Sequence, residues 1–315
     1  MRPLETGPLD DPRSARPAWL RGVRRTLGPA LRAHLRPGVF AAAHRLGTAY
    51  ARWAIRVGAP PLPAGARRFP ERVARLGGAA LVTPPPDRLV EARLAFLLVR
   101  ALVHRGLAGG AAAASRGWPP LRVDGQEHLE AAVAGGRGAV LVTPHFGLPP
   151  LVDLLLGRLA IAGVAGGGAG DESIDVVGGA GAGVWQRARS LHRLRGALAG
   201  GAVCVLLPDV KAGRWVELPF LGGRLAITLG PFLLAQLAGC PLLPYFATCG
   251  PGATAFGVRI APPLAPSGAP GEAVAVQAGA ALVRLYEDEA RRHPEQLLAY
   301  ERLFGGRPAA PPPPA

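Results

Sequence analysis

The chain has 315 residues and a formal net charge of +15 at pH 7, and this length suffices for one α/β domain with a helical extension. The positive charge favours anionic partners such as a phospholipid surface, but no nucleic-acid-binding motif is present, so nucleic acid is excluded as the expected partner. The three cysteines are widely spaced and form no C-x-x-C pair, which argues against a metal site and against a disulfide.

Residues 1–115 are predicted to form a basic helical region. Residues 1–16 lack the apolar core of a signal peptide, and no run in the chain approaches the ~20 apolar residues that span a bilayer. The segment that starts at Trp19 and the segment 39–57 both repeat apolar residues at helical spacing beside arginines. Such helices are typical of a bilayer interface, and they are equally typical of a surface helix that packs on a core.

The most informative stretch of the chain is the corner at His145. Residues 139–142 form an apolar run of strand length, and Gly147 permits a tight turn into a following helix. His145 lies between them, at the carboxyl end of the predicted strand, which is where open α/β sheets bind ligands. A histidine there can act as a base, although a lone histidine beside an apolar strand is as often a structural residue.

The remaining apolar patterns predict an α/β fold, with a mainly parallel central sheet flanked by helices and an amphipathic helical N-terminal extension. The predicted strands are 139–142, 161–165, 203–208, 242–247 and 256–261, and the predicted helices are 88–104, 148–157, 185–198, 226–238, 272–292 and a short one from Pro294. Residues 166–183 are predicted to be a glycine-rich loop, and residues 307–315 a disordered proline-rich tail.

Three blocks of sequence resemble one protein family. Residues 123–147 (VDGQEHLEAAVAGGRGAVLVTPHFG) look like the opening of the core of the lipid A biosynthesis (lysophospholipid) acyltransferases of the late, lauroyl type. Residues 203–246 are similar to that family's later block, which runs strand, acidic residue, loop, P-F-x-G, small-residue helix and G-x-P-x-x-P-x-F. The run PEQ followed by LLAYERLF resembles the family's closing motif. The blocks lie in family order, and the acyltransferase core is placed at residues 116–306.

The resemblance implies a reaction. A fatty acyl group would move from a thioester, of acyl carrier protein or of coenzyme A, to a hydroxyl of a membrane glycolipid or lysophospholipid. His145 would take the proton of that hydroxyl, and a carboxylate on the other ring nitrogen would fix the tautomer. No metal or redox cofactor is needed. The protein would work peripherally at the cytoplasmic face of the inner membrane, on an anionic lipid surface.

The sequence departs from the family at the carboxylate. The family pattern is H-x-x-x-x-D/E, and the position of the acid is occupied here by Pro150. Asp209 is the preferred substitute, because it ends a strand that would share the edge of a parallel sheet with the strand before His145. Asp153, about one helical turn beyond Pro150, is the second candidate. The alternative is a catalytically impaired member of the family that binds lipid or a carrier protein.

Further residues are expected to bind substrate. The backbone amides of Phe146 and Gly147 are candidate oxyanion donors. Cationic side chains on the helix 185–198 and on the loop after Asp209 would bind a phosphate-bearing acceptor or a carrier protein, and a glycine-containing turn beyond that loop would approach the ligand. The residues concerned are Arg193, Lys211, Arg214, Phe220 and Gly222.

Overall fold

The computed structural model describes residues 36–57, 69–71, 73–74, 85–107, 118–165, 184–209, 213–264 and 269–298, without the side chains of residues 164–165 and 184–190. Some of the expectations above therefore lie outside the described residues. They concern the tail 1–16, the basic segment from Trp19, the loop 166–183, Lys211 and the tail 307–315.

The predicted mainly parallel sheet is confirmed. Its strands are β1 (Leu121–Asp124), β2 (Ala139–Val142), β3 (Gly163–Ala165), β4 (Val203–Leu206), β7 (Leu242–Cys249) and β8 (Phe256–Ile260), and a separate hairpin contains β5 (Trp215–Phe220) and β6 (Gly223–Thr228). The order across the sheet is β1-β8-β7-β2-β4-β3. Strands β3, β4, β2 and β7 are parallel, β8 runs antiparallel to β7, and β1 is parallel to β8.

Helices cover both faces of this sheet. They are α1 (Pro37–Val57), α2 (Pro86–Leu107), α3 (Gln126–Ala134), α4 (Leu151–Arg158), α5 (Val184–Ala199), α6 (Gly230–Ala238) and α7 (Glu272–Arg292). Successive residues of β2 alternate between two cores, because side chains along a strand point to opposite faces. Ala139 and Leu141 pack with α1 to α4, whereas Val140 and Val142 pack with α5 to α7 and the hairpin. The result is a three-layer arrangement with the sheet in the middle.

The hairpin corrects one prediction. Residues 226–238 were expected to form a single helix, but the first of them complete β6, and α6 begins only at Gly230. The two strands are joined by a two-residue turn in which Leu221 has φ 47° and Gly222 has φ 75°. Positive φ at both central residues is the turn geometry that matches the twist of a tight hairpin. Pro219 on one strand and the small residues of the other had hidden the alternating strand pattern.

The helix α1 packs against the rest of the molecule through Phe40 and through small residues. Its buried positions are Phe40, Gly47, Ala51 and Ala54. At Gly47 the helix passes so close to α2 that an added Cβ would lie 2.6 Å from the Cα of Ala95. The buried face of α1 thus consists mainly of small residues, whereas large apolar residues of the helical pattern in 39–57, such as Leu46 and Trp53, stay exposed. None of the helices in the described part of the chain is both long and apolar enough to cross a membrane.

Candidate active site

The ends of β2 and β4 bring His145 and Asp209 to the same place. The two strands are parallel neighbours, with Val142 opposite Leu206. His145 and Asp209 follow these partners at the same distance along the chain, so the common register places both residues at the carboxyl edge of the sheet. The expected meeting of these two side chains is thus present in the structure.

Asp209 holds His145 by two hydrogen bonds. The Oδ1 atom of Asp209 lies 2.7 Å from Nδ1 of His145, and Oδ2 accepts the His145 backbone N–H at 2.8 Å. The aspartate side chain is fully buried, whereas 32% of the histidine side chain is exposed. Because the carboxylate accepts a hydrogen bond from Nδ1–H, the neutral ring has its lone pair on Nε2. The pair therefore presents a proton acceptor whose tautomer and orientation are both fixed.

Pro150, which occupies the position of the family's acidic residue, has a structural role and not a catalytic one. Pro150, with φ −65°, is the N-cap residue of α4 and offers no side-chain hydrogen bond there. The carboxylate that reaches the histidine comes from the neighbouring strand, β4, and not from the helix that follows His145.

The turn at residues 296–298 holds the backbone around His145 by hydrogen bonds, and we call this set of contacts the clamp. Gly147 donates its N–H to the Gln296 carbonyl at 2.9 Å, and Leu298 donates its N–H to the His145 carbonyl at 3.1 Å. The side-chain amide of Gln296 both donates to the carbonyl and accepts from the N–H of Cys249 in β7. The PEQ motif therefore has a structural explanation, since Gln296 joins the corner to the sheet. Sequence reasoning missed this function of Gln296.

The hydrogen bonds at this corner do not agree with the expectation that the Phe146 and Gly147 amides donate to an oxyanion. The Phe146 amide donates to the Pro144 carbonyl at 2.7 Å, and the Gly147 amide donates to Gln296 as described. Both N–H groups are occupied within the protein, so they are not available to a developing oxyanion. The Phe146 ring is fully buried and contacts Tyr286 edge-on, with the ring centroids 5.6 Å apart. Phe146 therefore supports the corner from within the core.

Asp153, the second candidate acid, lies elsewhere. It is in the first turn of α4, where burial raises the pKa of its carboxyl to about 6. Its charge acts on Tyr245, whose pKa is raised by burial and by this carboxylate. None of the described hydrogen bonds of His145 goes to Asp153. The geometry therefore favours Asp209 as the partner of the histidine.

The raised pKa makes a prediction for Asp153→Asn. At pH values between 3.8, the ordinary pKa of this carboxyl, and about 6, Asp153 is ionised in the unfolded chain but still protonated in the folded protein. The free energy of unfolding therefore falls as the pH rises through this window. The penalty is complete above pH 6 and amounts to about 3 kcal/mol at most. Asp153→Asn is thus expected to stabilise the protein at pH 7.5 and to change little at pH 4, as measured by urea unfolding. Asp288→Asn, on the exposed face of α7, is the control. An Asp153→Asn effect of equal size at both pH values would contradict this reading.

Of the predicted cationic residues, the two that the structure describes make no hydrogen bond to His145 among its described contacts. Arg193 is exposed on α5, and Lys211 lies outside the described residues. The side chain of Arg214 is 74% exposed and forms an ion pair with Glu272 at the start of α7. The Arg214 carbonyl accepts hydrogen bonds from the Thr228 hydroxyl and the Leu229 amide, which closes the base of the hairpin. In this structure Arg214 stabilises the hairpin.

The turn of the hairpin is also held by α7. Phe220 is fully buried and stacks on Tyr286 with the ring centroids 4.5 Å apart, so it has no surface to offer a ligand. Beside Gly222, the Leu221 amide donates to Oε1 of Glu287 at 2.6 Å. The expectation that Phe220 contacts substrate is therefore corrected, because the residue is part of the core.

Two residues near the site were missed by sequence reasoning. The hydroxyl of Tyr286 is buried, finds no hydrogen-bond partner among the described residues, and has its pKa raised by burial and by the charge of Asp209. Arg93 in α2 is 5% exposed and donates a hydrogen bond to the Glu295 carbonyl at 2.7 Å. Because Glu295 directly precedes Gln296, this bond helps to fix the turn that holds the His145 corner. The sequence around Arg93 gives little signal for this contact, because α2 carries several other charged residues. Its burial in the structure reveals it, since a buried arginine is almost always paired.

The fold and the site together define a class of protein, an α/β enzyme that can use a histidine held by a buried carboxylate as its base. The described residues contain no group of three or more histidine, cysteine, aspartate or glutamate side chains suited to a metal ion. Residues 111–305 match the sequence model of the family described as bacterial lipid A biosynthesis acyltransferase. The match covers more than half of the chain, and the protein belongs to this family. It is an acyltransferase that acts on a lipid acceptor.

Solved structures are also similar to this chain. The crystal structure of the 1-acyl-sn-glycerophosphate (LPA) acyltransferase PlsC from Thermotoga maritima is similar over 78% of this chain and 96% of that chain, with 14% sequence identity and a TM-score of 0.36. No curated protein matches the sequence.

Proposed function

We propose that this protein transfers a fatty acyl group from the thioester of acyl carrier protein or coenzyme A to a hydroxyl of a membrane glycolipid or lysophospholipid. His145 is the general base, and Asp209 orients it. The single observation that carries this proposal is the double hydrogen bond between Asp209 and His145 beside a partly exposed imidazole.

The geometry suits a direct transfer. Nε2 of His145 takes the proton of the acceptor hydroxyl while the oxygen attacks the thioester carbonyl. Asp209 stabilises the imidazolium that forms, since its carboxylate already accepts the hydrogen bond from Nδ1. The tetrahedral intermediate then expels the thiolate, which receives the proton from the imidazolium. A C–O bond forms, a C–S bond breaks, and the proton ends on sulfur.

The alternative of a catalytically impaired binding protein loses its main support. It rested on Pro150, which leaves no acid at the family position. A carboxylate from β4 that is buried and bonded to Nδ1 offers the same chemical assistance. We therefore favour catalysis, and the binding protein remains an outcome of the assay below.

The exposed face of α1 suits a peripheral position on the cytoplasmic face of the inner membrane. Leu46, Trp53 and Val57 are 66%, 54% and 54% exposed, and they recur at the spacing of one helical face. Exposed arginines, Arg45 and Arg56 among them, lie on the same helix. A tryptophan edge with arginines suits the headgroup region of an anionic bilayer.

This placement predicts the behaviour of charged substitutions on α1. Leu46→Glu and Trp53→Glu are each expected to weaken binding to vesicles containing anionic phospholipid by at least about tenfold, because each removes apolar area that the bilayer would bury and adds a repelled charge. Vesicle co-sedimentation measures the change. Leu237→Glu is the matched control, since Leu237 is 62% exposed on α6. Equal losses for all three substitutions would refute docking through α1.

The proposed reaction is tested by supplying each thioester class in turn. Acyl carrier protein and coenzyme A carrying a radiolabelled fatty acyl group are incubated with the protein and with extracted membrane lipids. We expect a labelled lipid product with one of the two donors. Lipid binding without any labelled product from either donor would favour the binding protein instead.

A further inference from the structure

A pocket opens on the face of the sheet that α7 partly covers. It lies over β1, β8 and β7 and has a volume of about 290 Å³. Its floor is Gly257, which pairs with Arg122 on one side and with Thr248 on the other. A glycine inside a strand leaves room for a ligand to approach the backbone closely. No residue of the His145 and Asp209 pair lines this pocket.

The pocket contains one buried hydrogen-bond donor that lacks an acceptor among the described residues, and further donors line it. Arg122 is exposed and forms no ion pair within the described residues. Nε of Arg259 is buried without an acceptor in the described part of the chain, although another nitrogen of the same guanidinium pairs with Glu289. The hydroxyl of Thr248 adds a neutral donor beside the glycine floor. A buried donor left unpaired is costly, so it indicates a missing acceptor.

The arginines that line the pocket outnumber the carboxylates there, so the lining carries a net positive charge. Three arginines line it, and the carboxylates there are those of Asp124 and Glu289. Glu289 is already occupied, because it pairs with Arg259 and accepts a hydrogen bond from Arg292 at 2.8 Å. A small group with several anionic oxygens would complete this set, since guanidinium groups bind phosphate by paired hydrogen bonds.

We propose that this pocket binds the phosphate group of a phosphate monoester. The volume accommodates a phosphate with a small organic substituent. The pocket is separated from the proposed acid–base pair by Phe246, which lines its wall and contacts Phe146 with the ring centroids 6.3 Å apart. Phosphate binding here does not depend on acyl transfer, and it can be measured in a protein that carries His145→Ala.

Binding is tested with three probes: inorganic phosphate, glycerol 3-phosphate and adenosine 3′,5′-bisphosphate. Isothermal titration calorimetry measures each of them on the His145→Ala protein. At least one organic phosphate is expected to bind, and inorganic phosphate is expected to compete with it. Tighter binding of glycerol 3-phosphate would assign the pocket to a lipid headgroup, whereas tighter binding of the bisphosphate would assign it to a nucleotide-bearing donor.

Two variants and one control locate the binding. Arg122→Gln is expected to weaken binding by about tenfold, the loss typical of one charged hydrogen bond, and Gly257→Val is expected to abolish binding by filling the floor. Arg284→Gln removes the same charge from an exposed position on α7 outside the pocket and should leave affinity unchanged. The proposal is overturned if none of the probes binds, or if Arg122→Gln affects affinity no more than Arg284→Gln does.

Discussion

Asp209→Asn is expected to lower the rate of acyl transfer by about 10³-fold to 10⁴-fold, the scale on which a histidine base depends on its carboxylate. An asparagine can turn its NH₂ group toward Nδ1, which favours the tautomer that has its proton on Nε2. Such a ring cannot accept the proton of the hydroxyl. The amide also lacks the charge that stabilises the imidazolium. Initial rates with a labelled acyl thioester measure the loss.

Asp153→Asn is the matched control for this loss of rate. It makes the same chemical change at the other candidate carboxylate, which has no described hydrogen bond to the histidine. We expect its rate to stay within about threefold of the natural protein, a change of less than 1 kcal/mol in the activation free energy. If Asp153→Asn abolished transfer while Asp209→Asn did not, the assignment of the two carboxylates would be reversed.

Gly147→Ala is expected to destabilise the protein by about 3–5 kcal/mol, which would lower the melting temperature by on the order of 10 °C. Gly147 has φ 59°, and an added Cβ would overlap the carbonyl oxygen of Ala247. That carbonyl accepts the Leu148 amide, and Gly147 itself donates to Gln296, so the backbone cannot move away without breaking the clamp. Scanning calorimetry measures the change.

Gly136→Ala separates the two causes of that destabilisation. Gly136 also has a positive φ, 74°, but an added Cβ would meet nothing within 4 Å. This substitution therefore costs only the backbone preference, about 1 kcal/mol. If Gly147→Ala were as mild as Gly136→Ala, the corner at His145 would not be held as rigidly as the hydrogen bonds indicate.

The meeting of His145 and Asp209 was predictable because parallel strands have a simple geometry. Each residue follows an apolar run of strand length, and neighbouring parallel strands end at a common edge. The sequence did not determine which aspartate would be the partner, because Asp153 lies on the helix that directly follows the corner. Only the pairing of β2 with β4 decides between the two aspartates.

Long-range hydrogen bonds were not predictable in the same way. The clamp by Gln296 joins residues that lie far apart in the chain, and no local pattern reveals which carbonyl an amide will reach. The same limit explains why the sequence analysis predicts that Phe220 binds a ligand. An aromatic residue near a glycine-containing turn has the same local sequence whether it contacts a substrate or Tyr286 in the core.

The most direct test of the central claim is the initial rate of labelled lipid formation in the natural protein and in His145→Ala. We predict a loss of at least about 10³-fold, because His145 is the group that accepts the hydroxyl proton. The control, His192→Ala, changes an exposed histidine on α5 and should retain the natural rate. A His145→Ala protein that forms the lipid product as fast as the natural protein would contradict the account.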